Sequence, residues 1–246
     1  FPRTALWHPR ERKVLLGYDP GADILDIDSG SLTTLADVNG QPIYRARWSP
    51  DGDSIWYSRT GGLHVMPAGG GYARLAIPTS NDFRPVGRWS FSPDGRTIAY
   101  AHTIVEDNGL PRGRAEIRLI DPDGRNIREL THLAGNARNP LWIHGGREIL
   151  FDWADTLCVN RAGTPERRWF AVDVATGRVR SLGDYLGSEK YQFSFPIGVD
   201  FAGERAAVVG GNKTRGDYVD SGVLYWTPIE RPILTRVFRP GSPEMP

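Results

Sequence analysis

One turn motif recurs along this chain and constrains its fold more than any other feature. The stretches 48–57 (WSPDGDSIWY) and 91–100 (FSPDGRTIAY) are nearly the same. In each, proline presets the turn, aspartate caps it through its side chain, and glycine accepts a positive φ. The flanking residues are β-branched or aromatic, which favours strands. Each copy therefore predicts a β-hairpin.

Three weaker copies keep the same spacing, in which an apolar anchor is followed seven residues later by a second apolar residue. The five anchors are Trp7, Trp48, Phe91, Trp142 and Val199, at intervals of 41, 43, 51 and 57 residues. A second hairpin with a turn glycine follows each of the first four copies, and apolar stretches fill the same places in the fifth. Four short antiparallel strands per repeat are typical of a propeller blade.

The repeats predict an all-β protein, a β-propeller of four-stranded antiparallel blades with five blades counted. A single domain is predicted over 1–246, with blades at about 1–39, 40–80, 81–135, 136–188 and 189–246. No sustained i, i+3, i+4 apolar pattern indicates a helix. A β-sandwich is the rival architecture, but it would not explain a fixed seven-residue offset in five places.

The charge balance and the single cysteine exclude several classes of function. Lys and Arg number 30 against 29 Asp and Glu, so the net charge is only +1. The chain therefore lacks the surplus of positive charge that nucleic-acid binding needs. Cys158 alone can form neither an internal disulfide nor a thiolate cluster. No apolar run approaches the ~20 residues that a membrane-spanning helix needs. We therefore predict no nucleic-acid partner and no membrane span.

The two SPDG copies, with residues 96–100 after the second, resemble the propeller repeats of the periplasmic protein TolB. Similar repeats occur in propellers of prolyl-oligopeptidase-type peptidases and in oligogalacturonate lyase. The resemblance implies a propeller, and we expect a periplasmic or extracellular location, with a cytoplasmic one left open. TolB has six blades and a separate N-terminal domain, so a sixth blade lost with the start of the chain also stays open. The peptidases add a hydrolase domain, for which this sequence offers no counterpart.

Catalytic motifs are missing from the sequence. It contains no G-x-S-x-G elbow, no H-E-x-x-H pair and no P-loop. The histidines are not spaced as ligand pairs, and His8, His102 and His144 map to different heights of a blade. We therefore predict no catalytic residue, no metal and no cofactor.

The acidic residues leave one enzymatic alternative open. Propeller glycosidases place acidic residues on the inner strands of their blades. In this chain Asp200 is the only acid in that register, and the other inner strands have arginines there, such as Arg45 and Arg138. A carbohydrate-active propeller enzyme, either a glycosidase or a metal-dependent lyase, is the second hypothesis. The turn aspartates are predicted to cap turns rather than to bind calcium; they are Asp51, Asp94, Asp121 and Asp123.

Long connections supply the functional prediction. The segments at about 102–115, 154–168, 183–197 and 211–222 are all predicted to join strands at one face of the propeller, which we call the long-loop face. Their arginines and aromatic residues suit a protein interface. The predicted partner-binding residues are Arg112, Arg114, Arg167, Arg168, Trp169, Tyr185, Tyr191, Phe193, Lys213 and Arg215. We expect a non-enzymatic scaffold that docks another protein, either alone or as a subunit of a larger complex.

Overall fold

The secondary structure is almost entirely β, which confirms the predicted all-β class. The computed structural model describes residues 4–18, 20–36, 40–81, 83, 85–105, 111–159, 165–182, 191–199, 205–212, 223–228 and 235–238. Within these ranges one 3-10 turn, His144–Gly146, interrupts the strands. None of the described segments forms an apolar helix of the length that a bilayer crossing requires. The chain divides into two compact units, Phe1–Thr103 with Arg118–Glu129 and Ile104–Ile117 with Leu130–Pro246, and each is described by itself.

Two four-stranded antiparallel sheets open the first unit. The strands of the first sheet are β1 (Thr4–Trp7), β2 (Lys13–Gly17), β3 (Ala22–Asp26) and β4 (Leu32–Leu35), paired in that order. Those of the second sheet are β5 (Tyr44–Trp48), β6 (Ser54–Arg59), β7 (Gly62–Pro67) and β8 (Arg74–Pro78), again paired in chain order. The fixed seven-residue offset therefore joins the first strand of each sheet to the second.

The next eight strands belong to one sheet. They are β9 (Pro85–Phe91), β10 (Ile98–Val105), β11 (Pro111–Ile120), β12 (Arg128–Glu129), β13 (Asn136–Ile143), β14 (Glu148–Val159), β15 (Pro165–Asp173) and β16 (Val179–Ser181). Strand β11 pairs antiparallel with β12 and, at Ala115 and Asn136, parallel with β13. The last sheet is antiparallel and contains β17 (Tyr191–Val199), β18 (Arg205–Asn212), β19 (Val223–Pro228) and β20 (Thr235–Phe238).

The SPDG turns are held by a serine and an aspartate. The Ser49 hydroxyl donates to Asp51 Oδ1 at 2.5 Å and accepts the Ser54 backbone N–H at 3.0 Å. Asp51 Oδ1 also accepts the Asp53 backbone N–H at 3.0 Å. The same bonds recur among Ser92, Asp94, Arg96 and Thr97. The predicted capping role of Asp51 and Asp94 is confirmed, and we call these two segments the Ser-Asp turns.

Successive turns of the first unit pack against one another. Gly52 has φ +76°, and a Cβ added there would lie 2.4 Å from His8 Nε2. Gly95 has φ +72°, and its added Cβ would lie 2.9 Å from Pro50 Cγ. Glycine is thus required twice over, for the positive φ and for the approach of the preceding turn.

His8 replaces the serine in the first copy and bonds to the next turn. Its Nδ1 accepts the backbone N–H groups of Arg10 and Glu11, at 3.1 and 2.9 Å. Its proton is therefore on Nε2, which donates to the Gly52 carbonyl oxygen at 3.1 Å. The His8 ring also meets the Trp48 ring edge to face, with centroids 4.6 Å apart. A residue of one repeat thereby fixes the turn of the next.

The second hairpin of two repeats turns through an aspartate. Asp26 Oδ1 accepts the backbone N–H of Asp28 and of Ser29, at 3.1 and 2.9 Å, and the Ser29 hydroxyl at 2.9 Å. Asp173 makes the equivalent bonds to Ala175 and Thr176. These carboxylates replace backbone acceptors, as side chains of aspartate do in tight turns.

The apolar core of the first unit lies between its sheets. One cluster joins the first two sheets; its buried members are Leu15, Ala22, Leu35, Ile43, Ala46, Trp48, Ile55, Tyr57 and Met66. A second cluster covers the other face of the second sheet; it contains Trp56, Leu63, Val65, Ile77, Phe83, Trp89, Ile98, Tyr100 and Ile120. The two middle strands of the second sheet, β6 and β7, therefore contribute alternate residues to both clusters, which explains their runs of consecutive buried residues.

Bulges interrupt the first strand of several repeats. In β5 the register against β6 shifts between Tyr44 and Arg47, and Arg45 has φ +51°. In β13 the register against β14 shifts between Arg138 and Leu141, and Asn139 has φ +57°. Such a bulge bends a strand and redirects its side chains.

Candidate functional site

Three of the ten predicted partner-binding residues have side chains within the described part of the chain. They are Arg114 on β11 and Arg168 and Trp169 on β15. Four more lie on strands whose side chains at those positions are outside the description: Arg112, Arg167, Tyr191 and Phe193. Tyr185, Lys213 and Arg215 lie outside the described residues altogether, as does the candidate acid Asp200.

Much of the sequence predicted as long loops is in fact strand. β10 continues to Val105, β11 begins at Pro111, and β14 and β15 extend to Val159 and Pro165, which pair with each other. The inserted residues are themselves β-formers, such as Thr103-Ile104-Val105 and Leu157-Cys158-Val159. The hairpins therefore lengthen, and the connections between their strands become shorter than predicted.

Trp169 lies inside the sheet. It is only 4 % exposed and is paired with Asp152 of β14, which is 2 % exposed. Asp152 Oδ1 accepts a hydrogen bond from Asn139 Nδ2 at 2.9 Å, across the β13 bulge. A buried carboxylate requires such partners. Trp169 therefore contributes to packing in the second unit, whereas Arg114 and Arg168 are only half-buried.

Arg114 lies where the β10–β11 hairpin enters the body of its sheet. Its Nη2 donates to the Leu133 carbonyl oxygen at 3.3 Å, in the connection that leads to β13. The next residue, Ala115, donates its backbone N–H to the Gly135 carbonyl oxygen at 3.2 Å. Arg114 Nε is buried and has no acceptor among the described residues. The Nη2 group of Arg114 is thus hydrogen-bonded, whereas its Nε–H has no acceptor among the described residues.

Trp153, on β14, lies beside the segment that contains Leu133 and Gly135 and leads to β13. Its indole Nε1 is buried and likewise lacks an acceptor in the described ranges, and its ring meets Phe170 edge to face at 5.7 Å. Gly135 has φ +138°, and a Cβ there would lie 2.6 Å from Trp153 Nε1. Only glycine lets the indole approach the chain so closely. This role of Gly135 was not predicted, because the glycine belongs to no turn motif.

Arg168 stands opposite Trp153 in the register between β14 and β15. Directly paired residues point to the same face of a sheet, so Arg168 and Trp153 share one face. We call the set Arg114, Leu133, Gly135, Trp153 and Arg168 the Arg114 corner. All five residues belong to the second unit.

The chemistry of the Arg114 corner is that of hydrogen-bond donation. Its side chains supply two guanidinium groups and one indole N–H, and no carboxylate or imidazole is among them. A buried donor without an acceptor is costly, by about 1–3 kcal/mol. The side chains of the corner can therefore donate hydrogen bonds to an acceptor group.

A second polar cluster in the same unit has a structural explanation. Glu148 accepts two hydrogen bonds from Arg180, both at 2.9 Å, and lies 2.6 Å from His144 Nδ1. The Arg180 guanidinium, and next His144, hold the pKa of Glu148 below its usual range despite the opposing effect of burial. The cluster ties β16 to the turn between β13 and β14. It replaces the serine and aspartate that hold the turns of the first unit.

The histidines do not form a shared site in the described part of the chain. His8 is bound to backbone groups, and His144 to Glu148. No three histidines within the described ranges lie close enough together to bind one ion. The carbohydrate-enzyme alternative therefore gains no three-histidine centre from these residues.

Comparison with known sequences gives a match of limited extent. No family model matches the chain. Dipeptidyl peptidase 4 from Arthroderma otae is 33 % identical in an alignment 101 residues long that covers 36 % of this chain and 13 % of the peptidase. The chain thus matches only a small part of that protein's length, and the match does not establish a family.

Solved structures give a likeness over nearly the whole chain. A protein described as TolB from Agrobacterium tumefaciens has a TM-score of 0.67 and 20 % identity, over 96 % of this chain and 79 % of that one. TolB from Acinetobacter baumannii gives 0.59 and 19 %, over 96 % of this chain and 52 % of that one.

An enzyme shares the fold as well. Oligogalacturonate lyase in complex with manganese has a TM-score of 0.55 and 14 % identity, over 98 % of this chain and 77 % of that one. Likeness at such identities shows fold and not activity. The chain has the β-propeller fold of the TolB type.

Proposed function

We propose that this protein is a non-enzymatic scaffold that docks a partner protein through its long-loop face. We also propose that its strands form five blades, with the eight-stranded sheet counted as two, and that it works outside the cytoplasm, in the periplasm or beyond. Five consecutive sets of four strands support the blade count. The partner acts with this chain either as a simple complex or within a larger assembly.

The observation that carries the docking proposal is the Arg114 corner. Two of its buried donors, Arg114 Nε and Trp153 Nε1, have no acceptor among the described residues. Buried arginines and tryptophans are the side chains that most often anchor a protein interface. In the proposed complex, a main-chain carbonyl or a carboxylate of the partner accepts from one of these donors after the atoms that cover that donor move aside.

The experiment compares partner recovery by matched variants. Arg114→Ala removes the guanidinium, and Trp153→Phe removes the indole N–H while keeping an aromatic ring. Each purified variant is used as bait in an extract of the source organism, and recovered proteins are quantified by mass spectrometry. We expect the partner that the unmodified chain captures to be recovered at least about tenfold less by either variant, since loss of an anchor weakens binding by that much.

Arg125→Ala is the control, because it removes the same charge from the exposed turn between β11 and β12, which contributes no residue to the corner. It should leave recovery unchanged. Circular dichroism and thermal unfolding establish that each variant is folded. Equal recovery by folded Arg114→Ala, Trp153→Phe and the unmodified chain would refute the proposal.

The likeness to oligogalacturonate lyase favours one second candidate, a carbohydrate-active enzyme. The direct test is incubation with oligogalacturonate, with and without Mn²⁺, followed by mass spectrometry of the products. Shortened products that appear only with the folded chain would support this candidate over the scaffold. The peptidase match gives no comparable support, because it covers 13 % of that protein.

A further inference from the structure

Three turns of the first unit share the sequence Pro-Asp-Gly. They are residues 50–52, 93–95 and 122–124, and the first two belong to the Ser-Asp turns. In each turn the glycine has a positive φ, between +72° and +83°. Its backbone N–H donates to the carbonyl oxygen of the residue before the proline, at 2.9 Å in all three. The main chain of the three turns is thus alike, and differences in their chemistry arise from the surrounding side chains.

An aspartate that is followed by glycine can react with its own main chain, because glycine has no Cβ to shield its nitrogen. The nitrogen attacks the aspartate Cγ, and the amide proton leaves with the carboxyl hydroxyl as water. The product is a five-membered succinimide ring, which a water molecule then opens. Opening at the side-chain carbonyl restores aspartate. Opening at the main-chain carbonyl gives isoaspartate, in which the main chain runs through the side-chain carbon.

The Ser-Asp turns oppose this reaction by holding the carboxylate. Asp51 Oδ1 accepts the Ser49 hydroxyl at 2.5 Å and the Asp53 backbone N–H at 3.0 Å. These two hydrogen bonds lower the pKa of Asp51, and Asp94 has equivalent bonds with the same effect on its pKa. A carboxylate that is kept ionised has no hydroxyl to lose and is a poor target for the glycine nitrogen.

The packing of the glycine is a second difference among the three turns. Ring closure rotates the peptide group of the glycine, so contacts around it resist the reaction. A Cβ added at Gly52 or Gly95 would lie 2.4 or 2.9 Å from a side chain of the preceding turn. At Gly124 the nearest atom would be Cγ2 of Ile77 at 3.7 Å, an ordinary contact. The third turn is therefore less restrained than the other two.

The third turn also lacks the serine. Asp121 occupies the equivalent position; its Oδ2 accepts a hydrogen bond from Asn126 Nδ2 at 2.7 Å, and a carboxylate has no hydroxyl to donate. Among the described residues, Asp123 Oδ1 accepts only the Arg125 backbone N–H, at 2.9 Å. Its Oδ2 lies 3.9 Å from Arg125 Nε, and both side chains are more than half exposed. Solvent screens an ion pair of this kind.

We propose that Asp123 is a site of spontaneous covalent modification, at which the folded chain converts aspartate to isoaspartate, whereas the Ser-Asp turns protect Asp51 and Asp94. The modification inserts a methylene group into the main chain between β11 and β12. It also moves the carboxylate away from the Arg125 backbone N–H. This inference concerns the first unit alone and is independent of the docking proposal.

The test compares the three aspartates within one sample. The folded chain is kept in heavy-oxygen water at mildly acidic pH, digested in ordinary water, and analysed by chromatography and mass spectrometry. Ring opening incorporates one solvent oxygen, and isoaspartate resists cleavage by endoproteinase Asp-N. We expect Asp123 to convert at least about tenfold faster than Asp51 or Asp94, since one hydrogen bond to a charged group corresponds to such a factor. In urea the three rates should become similar.

Three variants separate the contributions, and circular dichroism establishes that each is folded. Asp121→Ser supplies the missing hydroxyl and should slow conversion of Asp123 by about tenfold. Ser49→Ala should raise the rate at Asp51 by a similar factor and leave Asp123 unchanged. Asp123→Glu, which cannot close a five-membered ring, should give no product at this turn. Equal rates at the three aspartates of the folded chain would overturn the proposal. So would an Asp123 that reacts only in urea, or a folded Asp121→Ser chain that reacts as fast as before.

Discussion

Single hydroxyl groups determine the turns of this protein. Ser49 is buried, and its one oxygen both donates to Asp51 and accepts the Ser54 backbone N–H. Ser92 does the same for the turn of the next repeat. Serine is therefore as necessary to the motif as proline and glycine are, although its part is visible only once the hydrogen bonds are known.

Ser49→Ala should destabilise the fold by about 1 kcal/mol or more, because the partly buried Ser54 N–H loses its acceptor. Urea unfolding measures the change. Ser29→Ala is the matched control: Ser29 also donates to a turn aspartate, Asp26, but it is exposed, so its replacement should cost no more than about 0.5 kcal/mol. Equal costs for the two variants would contradict the role assigned to Ser49.

At the scale of the hairpin, neighbouring turns of the first unit are coupled by contact. The His8 side chain of the preceding repeat packs against Gly52, and Pro50 packs against Gly95. Gly30, in the second hairpin of the first repeat, also has a positive φ, of +69°, but an added Cβ would meet nothing within 4 Å. The two kinds of glycine allow the backbone effect to be separated from the contact.

Gly52→Ala should therefore be more damaging than Gly30→Ala. Both substitutions place a Cβ at a left-handed position, at a cost of about 1–2 kcal/mol. Only the first also displaces His8, which adds about 1–3 kcal/mol of overpacking. Thermal or urea unfolding gives the difference. His8→Ala should recover part of the loss in the Gly52→Ala chain, and a strictly additive double variant would disprove the contact.

Across the whole molecule, ionised carboxylates contribute stability that depends on pH. Hydrogen bonds from Ser49 and then from the Asp53 backbone lower the pKa of Asp51, and bonds from Ser92 and Arg96 do the same for Asp94. Ser29 lowers the pKa of Asp26, and Thr176 that of Asp173. Arg180 lowers that of Glu148. All five shifts have the same sign.

A carboxyl group whose pKa is lower in the folded chain stabilises the fold above its unfolded pKa, which is about 4. That contribution is lost as the pH falls through the folded value. We therefore expect the free energy of unfolding to decrease progressively below about pH 4. Urea unfolding between pH 7 and pH 3 measures this decrease. Asp51→Asn with Asp94→Asn should be less stable at pH 7 and less sensitive below pH 4, whereas parallel pH curves would argue against these groups.

The fold was predictable because its signal is local. The Ser-Asp turns and the seven-residue offset are contained in short stretches of sequence, so the hairpins could be located directly. The lengths of β10, β11, β14 and β15 were not predicted, because the turn motif fixes where a hairpin begins and not how many residues its strands contain. The role of Gly135 was missed because it depends on Trp153, which is distant in sequence. Partner binding by Arg114, Arg168 and Trp169 stays a prediction.

The contacts at Gly52 and Gly95 have a consequence for how such chains can diverge. Where a turn bears directly on its neighbour, an inserted residue would force the two repeats apart. The β10–β11 and β14–β15 hairpins are joined away from these turns, and their strands are longer than those of the corresponding hairpins β2–β3 and β6–β7. Changes in chain length are therefore tolerated at one end of a repeat and rejected at the other. New recognition surfaces can arise by lengthening a hairpin without disturbing the spacing on which the repeats depend.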